Sequence, residues 1–216
     1  MRKSKKLQPK TPRDYLSWSQ LSLWERSPEL YRRVYLEGIK QPENQYTRLG
    51  SSLADRLKTG IETDDELIEH LALFMPKYPK TEFEISVDWE GIPLLGRLDG
   101  WNLHNRIIGE MKTSKNDWTQ AMVDKSDQLT FYSLLIWLEY GKLPLEIRLH
   151  WAKTEIDENG KLQINGDITT FKTIRTLSDI ILLRGRIKVC WEGIQKMCKN
   201  YARRDSSNTS DNRINK

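Results

Sequence analysis

With 216 residues, 38% hydrophobic and 30% charged, the chain is long enough for one well-buried domain and barely for two. No run approaches the roughly 18 apolar residues of a membrane span, and the basic start MRKSKKLQPKTPRD continues into neither an apolar segment nor a cleavage site, so the expected location is cytoplasmic, with no membrane partner. The net charge of +5 is uneven: residues 1–14 carry six Lys/Arg against one acid and residues 184–216 nine against three, which leaves an acidic body with two basic ends, a distribution suited to a polyanionic partner.

In chain order, residues 1–14 read as a basic flexible tail. Ser17 with Gln20 forms a capping-box pattern, and Leu16, Leu21 and Trp24 supply an apolar face, predicting a helix over about 18–26. Ser27-Pro28 then restarts a helix with a polar cap and Pro at its first position. Helical spacing also covers roughly 47–59 and 64–75. The period then changes. EFEISVDW (82–89) alternates, Glu90-Gly91 turns, IPLLGRLDG (92–100) is β-like, and RIIGEMKT (106–113) reads as a third strand. Residues 117–140 return to helix, closed by Gly141 with Pro144 beyond. LEIRLHWAKT (145–154), a DENG turn and KLQI form another hairpin, and DITTFKT (167–173) adds a strand. A final helix runs from Thr176 to about Arg203, where Gly185 and Gly193 each weaken it by roughly 1 kcal/mol and mark a place for a break. Residues 204–216 read as a disordered polar tail, leaving 15–203 as one α/β domain with a mixed sheet flanked by helices. The two cysteines, Cys190 and Cys198, sit roughly 12 Å apart on that last helix, too far for a disulfide, and read as buried spacers.

Three features in one window carry chemistry. Asp99 ends a strand between Gly96 and Gly100, where backbone can come close to a ligand. Glu110 and Lys112 sit two apart on the next strand and so share a face with Ile108, while Ile107, Gly109 and Met111 line the other. A strand apolar on both sides is interior, where a lone acid and a lone base cost several kcal/mol each unless they pair or bind a metal. Two carboxylates from adjacent strands suit a hard divalent cation, which would polarise a phosphoryl oxygen, with Lys112 placed to orient water or stabilise developing charge. Third, Gln128 and Tyr132 in DQLTFY share one helix face at i, i+4. The competing account is a Glu–Lys pair on a half-exposed strand beside an ordinary turn Asp. A lone ExK fits that account, whereas GRLDG followed ten residues later by EMKTSK is much rarer.

These motifs resemble those of the PD-(D/E)XK nuclease superfamily, in its RecB-like exonuclease branch. SWSQLSLWERSP is similar to that branch's N-terminal helix signature, GRLDG to its metal-binding aspartate motif, GEMKTSK to its E-x-K core, and Gln128 with Tyr132 to its QxxxY helix. The resemblance implies a single restriction-endonuclease-like domain, dependence on Mg²⁺ or Mn²⁺, and DNA strand cleavage, commonly from an end, in DNA processing, repair or recombination. It also implies metal ligation by Asp99, Glu110 and the backbone carbonyl of Met111, with Lys112, Gln128 and Tyr132 in the catalytic machinery, and it leaves room for a helicase or recombination partner. Two departures stand out. Where many members carry a His four residues after a helical Gly, Gly50 is followed by Ala54. Ser27 replaces the first cysteine of the iron–sulfur relatives, so no cluster is expected. Lys115 and Trp118, and Arg32 and Arg33 beside Trp18 and Trp24, are the candidate DNA contacts. The alternatives are a catalytically inactive DNA-binding subunit, which Ala54 favours, and a plain RNA-binding module.

Overall fold

The computed structural model describes residues 12–40 and 42–211, with side chains as far as 203. Of the tails expected at 1–14 and 204–216, residues 1–11 and 212–216 lie outside the described residues, and 204–211 belong to the last helix. Among the described residues, seven helices and six strands follow in order: α1 (Trp18–Arg26), α2 (Pro28–Tyr31) running into a π-helical turn (Arg32–Leu36), α3 (Gln45–Thr59), α4 (Glu66–Phe74), β1 (Lys80–Trp89), β2 (Ile92–Asn102), β3 (Ile107–Ser114), α5 (Gln120–Asp124), α6 (Asp127–Tyr140), β4 (Glu146–Ile156), β5 (Leu162–Ile164), β6 (Thr169–Thr173) and α7 (Leu177–Asp211). None of these helices is long and apolar enough to cross a membrane.

The sheet runs β1-β2-β3-β4-β5, with β6 also on β4. It is mixed: β2–β3, β4–β5 and β4–β6 are antiparallel, whereas β3 and β4 pair in parallel from Ile107↔Glu146 to Ser114↔Lys153. A parallel pair needs a crossover, and α5 with α6 supplies it. Strand β3 therefore lies between two neighbours, the interior position that its two apolar faces predict.

The described residues divide into two compact units, one formed by residues 12–40, 88–94 and 184–211, the other by 42–87 and 95–183. In the first, Ser27 caps α2 by accepting from the Leu30 amide, and Pro28 takes the first helical position, as the sequence predicts. Ser17 does not cap α1 with its side chain. Gln20 is instead drawn into the core, where its amide donates to the Tyr15 carbonyl (3.0 Å) and its oxygen accepts from the Tyr31 hydroxyl (3.0 Å). Helix α7 passes Gly185 and Gly193 unbroken and runs to Asp211, beyond where the sequence periodicity ends. The Trp24 ring packs directly on Gly193, where an added Cβ would lie 2.4 Å from Cζ2, so the packing gained outweighs the lost helix propensity. Cys190 and Cys198 are free and buried.

In the second unit α3 and α4 cover the sheet through Leu49, Leu53, Ile68 and Leu71, packed with Ala152 of β4 and Leu162 of β5. Helix α3 starts two residues earlier than its apolar spacing shows, because Asn44 and Thr47 form a capping box. The helix expected over 117–140 is two helices. Thr119 caps α5, and Ser126 adopts extended backbone and starts α6 afresh. The break is held by Arg175, buried and 6% exposed, whose guanidinium donates to the carbonyls of Val123 (2.9 Å) and Ser126 (3.0 Å) and to Thr130 Oγ1 (2.8 Å). Helix α6 is buried nearly all round, from Leu129 to Ile136.

Candidate active site

β2 brings Asp99 and β3 brings Glu110 and Lys112 to one cavity of about 230 Å³, lined also by Gly50, Leu53, Ala54 and Leu57 of α3, by Glu82 of β1 and by Gln128 of α6. The β2–β3 register runs from Asn102↔Ile107 to Gly100↔Gly109, and Asp99 and Glu110 are the next residue on each strand. Asp99 is anchored by accepting, at Oδ2, a hydrogen bond from the Met111 amide at 2.7 Å.

Glu110 is 1% exposed. Its Oε1 meets Lys112 Nζ at 2.5 Å and accepts from Gln128 Nε2 at 2.8 Å. Lys112 Nζ also donates to Gln128 Oε1 at 2.9 Å, closing a three-membered ring of polar contacts, and Gln128 Nε2 donates to the Tyr132 hydroxyl at 3.0 Å. The i, i+4 spacing of Gln128 and Tyr132 thus delivers both groups to the E-x-K strand. Glu110 Oε2 is buried with no hydrogen-bond partner. An anionic oxygen left bare in the interior is costly unless a cation meets it.

The titration behaviour follows from this crowding. Burial, reinforced by the Glu110 charge and by Glu82, holds Asp99 well above the usual carboxylate range, although the Met111 amide and Lys112 pull the other way. Burial alone would lower Lys112, but the charge and hydrogen bond of Glu110, with Asp99, outweigh it and raise its pKa. Lys112 is therefore an ammonium in this structure. Burial and the Glu110 charge push the Tyr132 phenol up, so its hydroxyl stays neutral while its oxygen accepts from Gln128.

Glu82 is the site residue that sequence reasoning missed. Alternation along EFEISVDW makes Glu82 and Glu84 equivalent, yet Glu82 has φ +47°, a left-handed conformation costing on the order of 1 kcal/mol in a non-glycine residue. Its side chain is 12% exposed against 54% for Glu84, and burial raises its pKa while Arg97 lowers it.

Among the described residues no group of three or more His, Cys, Asp or Glu is arranged to hold a metal ion. Asp99 and Glu110 nonetheless fit a hard cation of the Mg²⁺ kind, which takes one or two carboxylates and completes its shell with water and substrate phosphate oxygens. The unpartnered Glu110 Oε2 is the observation that supports the fit. Ala54 lines this cavity, so the position where the resembling family often has His contributes a methyl group here.

The other sequence candidates fall elsewhere. Lys115 is exposed in the loop after β3, and Trp118 is half-buried in the same loop. Arg32 is engaged by Glu29 and Glu37, and Arg33 is exposed. Trp24 packs edge-on against Tyr31.

No family model matches the sequence, and no curated protein matches it closely enough to place it. Solved structures do resemble the fold. A proposed exonuclease of Eubacterium rectale superposes with a TM-score of 0.56 at 12% identity, over 93% of this chain and 88% of that one. A phage-related exonuclease of Haemophilus somnus 129PT gives 0.55 at 13% identity, over 82% and 83%. At such identities the likeness establishes the architecture, a restriction-endonuclease-like fold with a mixed sheet flanked by helices.

Proposed function

We propose that the protein is a divalent-metal-dependent nuclease acting on DNA, an exonuclease in preference to a sequence-specific endonuclease. The observation that carries this reading is the bare, buried Glu110 Oε2 beside Asp99, in a cavity where Lys112 is held as an ammonium by Glu110 and Gln128. Asp99, Glu110 and the Met111 carbonyl are the groups that would hold Mg²⁺ or Mn²⁺. When bound, such an ion supplies Lewis-acid polarisation of the phosphoryl group and makes water a stronger nucleophile.

The chain's own groups account for the rest. Lys112 places positive charge where the phosphate gathers negative charge as water oxygen bonds to phosphorus and the P–O bond to the leaving strand breaks. Its contacts with Glu110 Oε1 and Gln128 Oε1 suit it to charge stabilisation and water orientation. Gln128 fixes the Lys112 Nζ and Glu110 Oε1 positions simultaneously, and Tyr132 fixes Gln128. Lys115, exposed, and Trp118, half-buried, on the loop leaving the same strand would meet the sugar-phosphate backbone and a base.

The deciding experiment incubates end-labelled linear and closed circular DNA, single- and double-stranded, with Mg²⁺, Mn²⁺ or EDTA, alongside Lys112→Ala. Metal-dependent loss of linear DNA, spared circles and an inert variant are the expected results. Binding without cutting under either metal would replace this reading with an inactive DNA-binding subunit, which the methyl group of Ala54 in the cavity favours.

A further inference from the structure

Behind the last β2–β3 pair lies an aromatic ring that the proposed chemistry does not use. Tyr78 sits between α4 and β1, with Pro76 and Pro79 fixing the backbone on either side. A Cβ built on Gly100 would lie 2.3 Å from Tyr78 Cδ2, and one built on Gly109 would lie 2.3 Å from both Cε2 and Cζ. The ring thus rests directly on two cross-strand partners, and only glycine at both positions admits it. Its hydroxyl meets His150 Nε2 at 2.7 Å, and His150 Nδ1 meets Thr170 Oγ1 at 2.8 Å. His150 is 1% exposed and stands opposite Met111 on one side and Thr170 on the other in the sheet register. Burial, with Arg148, lowers its pKa to about 4, so it is a neutral imidazole with one donor and one acceptor, which Tyr78 and Thr170 satisfy.

We propose that Tyr78 is a positioning residue for the two carboxylates, its ring braced through His150 and Thr170 so that β2 and β3 are fixed one residue before Asp99 and Glu110. Successive residues of β3 point to opposite faces, so the ring supports Gly109 from behind while Glu110 faces the cavity. The Met111 amide that holds Asp99 is on the same strand, two residues past the supported glycine. A shift of the β2–β3 separation at Gly100↔Gly109 is therefore passed directly to the distance between the groups that would hold the cation. This inference rests on the metal-site reading above, and its test separates the two.

The test measures Mn²⁺ affinity of the full chain by the electron-paramagnetic signal of free Mn²⁺, together with kcat and KM on linear DNA. Four variants are compared: Tyr78→Phe, Tyr78→Ala, Gly109→Ala, and the double change. Thermal unfolding in EDTA establishes that each is folded at the assay temperature, with Tyr78→Leu replacing Tyr78→Ala if that variant does not fold. Tyr78→Ala is expected to weaken Mn²⁺ binding by about 10- to 100-fold, the usual effect of removing a group that orients metal ligands, and to lower kcat while KM for DNA holds. Tyr78→Phe keeps the ring on the glycines and has the smaller effect. Gly109→Ala alone weakens binding because its methyl collides with the ring, whereas in the Tyr78→Ala background the same methyl fills the vacated space and restores affinity. Wild-type affinity in Tyr78→Ala, or simply additive effects in this cycle, overturns the proposal. A wild-type chain that binds Mn²⁺ without cutting DNA defeats the nuclease reading alone, since the affinities still decide the role of Tyr78. A wild-type chain that binds no Mn²⁺ defeats both.

Discussion

One oxygen of Glu110 belongs to a ring of three polar side chains and the other is buried without a hydrogen-bond partner, and this asymmetry sets what the site needs. Lys112→Ala removes the only ammonium in the ring, so kcat on linear DNA should fall by roughly 10²–10³ with KM little changed, the scale seen when one stabilising donor is lost. Single-turnover cleavage with saturating enzyme checks it, and a change confined to KM would contradict it. The Asp99 shift makes a second prediction. Because burial and Glu110 raise its folded pKa, the metal-free protein gains stability that is full below the unfolded value of about 3.9 and is lost as pH rises through the raised one. A cation reverses that loss, so the rise in Tm given by Mn²⁺ over EDTA should grow with pH and vanish in acid. A metal effect that ignores pH would show that this pair is not the ligand set. Ala54 supplies the third. Ala54→His adds an imidazole to the cavity wall, and Mn²⁺ affinity should increase about tenfold. Much at this scale was legible. Two-residue spacing on an interior strand puts Glu110 and Lys112 on one face, and helical spacing puts Gln128 with Tyr132, the four side chains that the structure brings into contact. Glu82 was not legible, because its inward side chain depends on a positive φ that alternation in the sequence does not encode.

Among the elements, the corner between α5 and α6 matters most, because Gln128 is the second residue of α6. Periodicity runs through this corner without a sign of the break. The reason is long-range: the carbonyls of Val123 and Ser126 are taken by Arg175, some fifty residues onward, and a pattern within a window cannot register that partner. Arg175→Met should therefore cost about 3 kcal/mol in urea unfolding, since buried carbonyls and Thr130 lose their donor. A cost near zero would mean that water replaces the guanidinium. Gly96 tests the other side of α6. A Cβ there would lie 2.4 Å from Leu135 Cδ1 and 3.4 Å from the Tyr132 ring, so Gly96→Ala should destabilise by about 1–3 kcal/mol through overpacking and reduce activity through Tyr132. Strand and helix identities were otherwise read correctly from periods of two and 3.6. The start of α3 was displaced, because its Asn44–Thr47 capping box lies outside the apolar stripe.

For the whole molecule, the mixed sheet follows from the order of its elements, a meander of strands, then a helical crossover, then more strands. Its acidic middle and basic ends bear on how the proposed DNA substrate would be held. If the ends hold the duplex or single strand electrostatically, raising salt from about 50 to 200 mM should weaken binding steeply, and removing residues 1–14 with their six Lys/Arg should flatten that dependence. Fluorescence anisotropy of labelled DNA across salt checks this, and an unchanged slope would confine binding to the folded body. The parallel β3–β4 pair has a consequence for biosynthesis. Glu110 stands opposite Leu149, and Gln128, which orders the Glu110–Lys112 pair, lies on the crossover between them. A ribosome adding roughly 5–20 residues per second releases both carboxylates seconds before the strand that flanks them and the helix that disciplines them are complete. Until then β3 presents an open edge to whatever strand is near. On the nuclease reading, the nascent chain cannot yet assemble its cutting site and is most exposed to misassembly during the same interval, so harm from an arrested or truncated product would take the form of aggregation and not of DNA cutting.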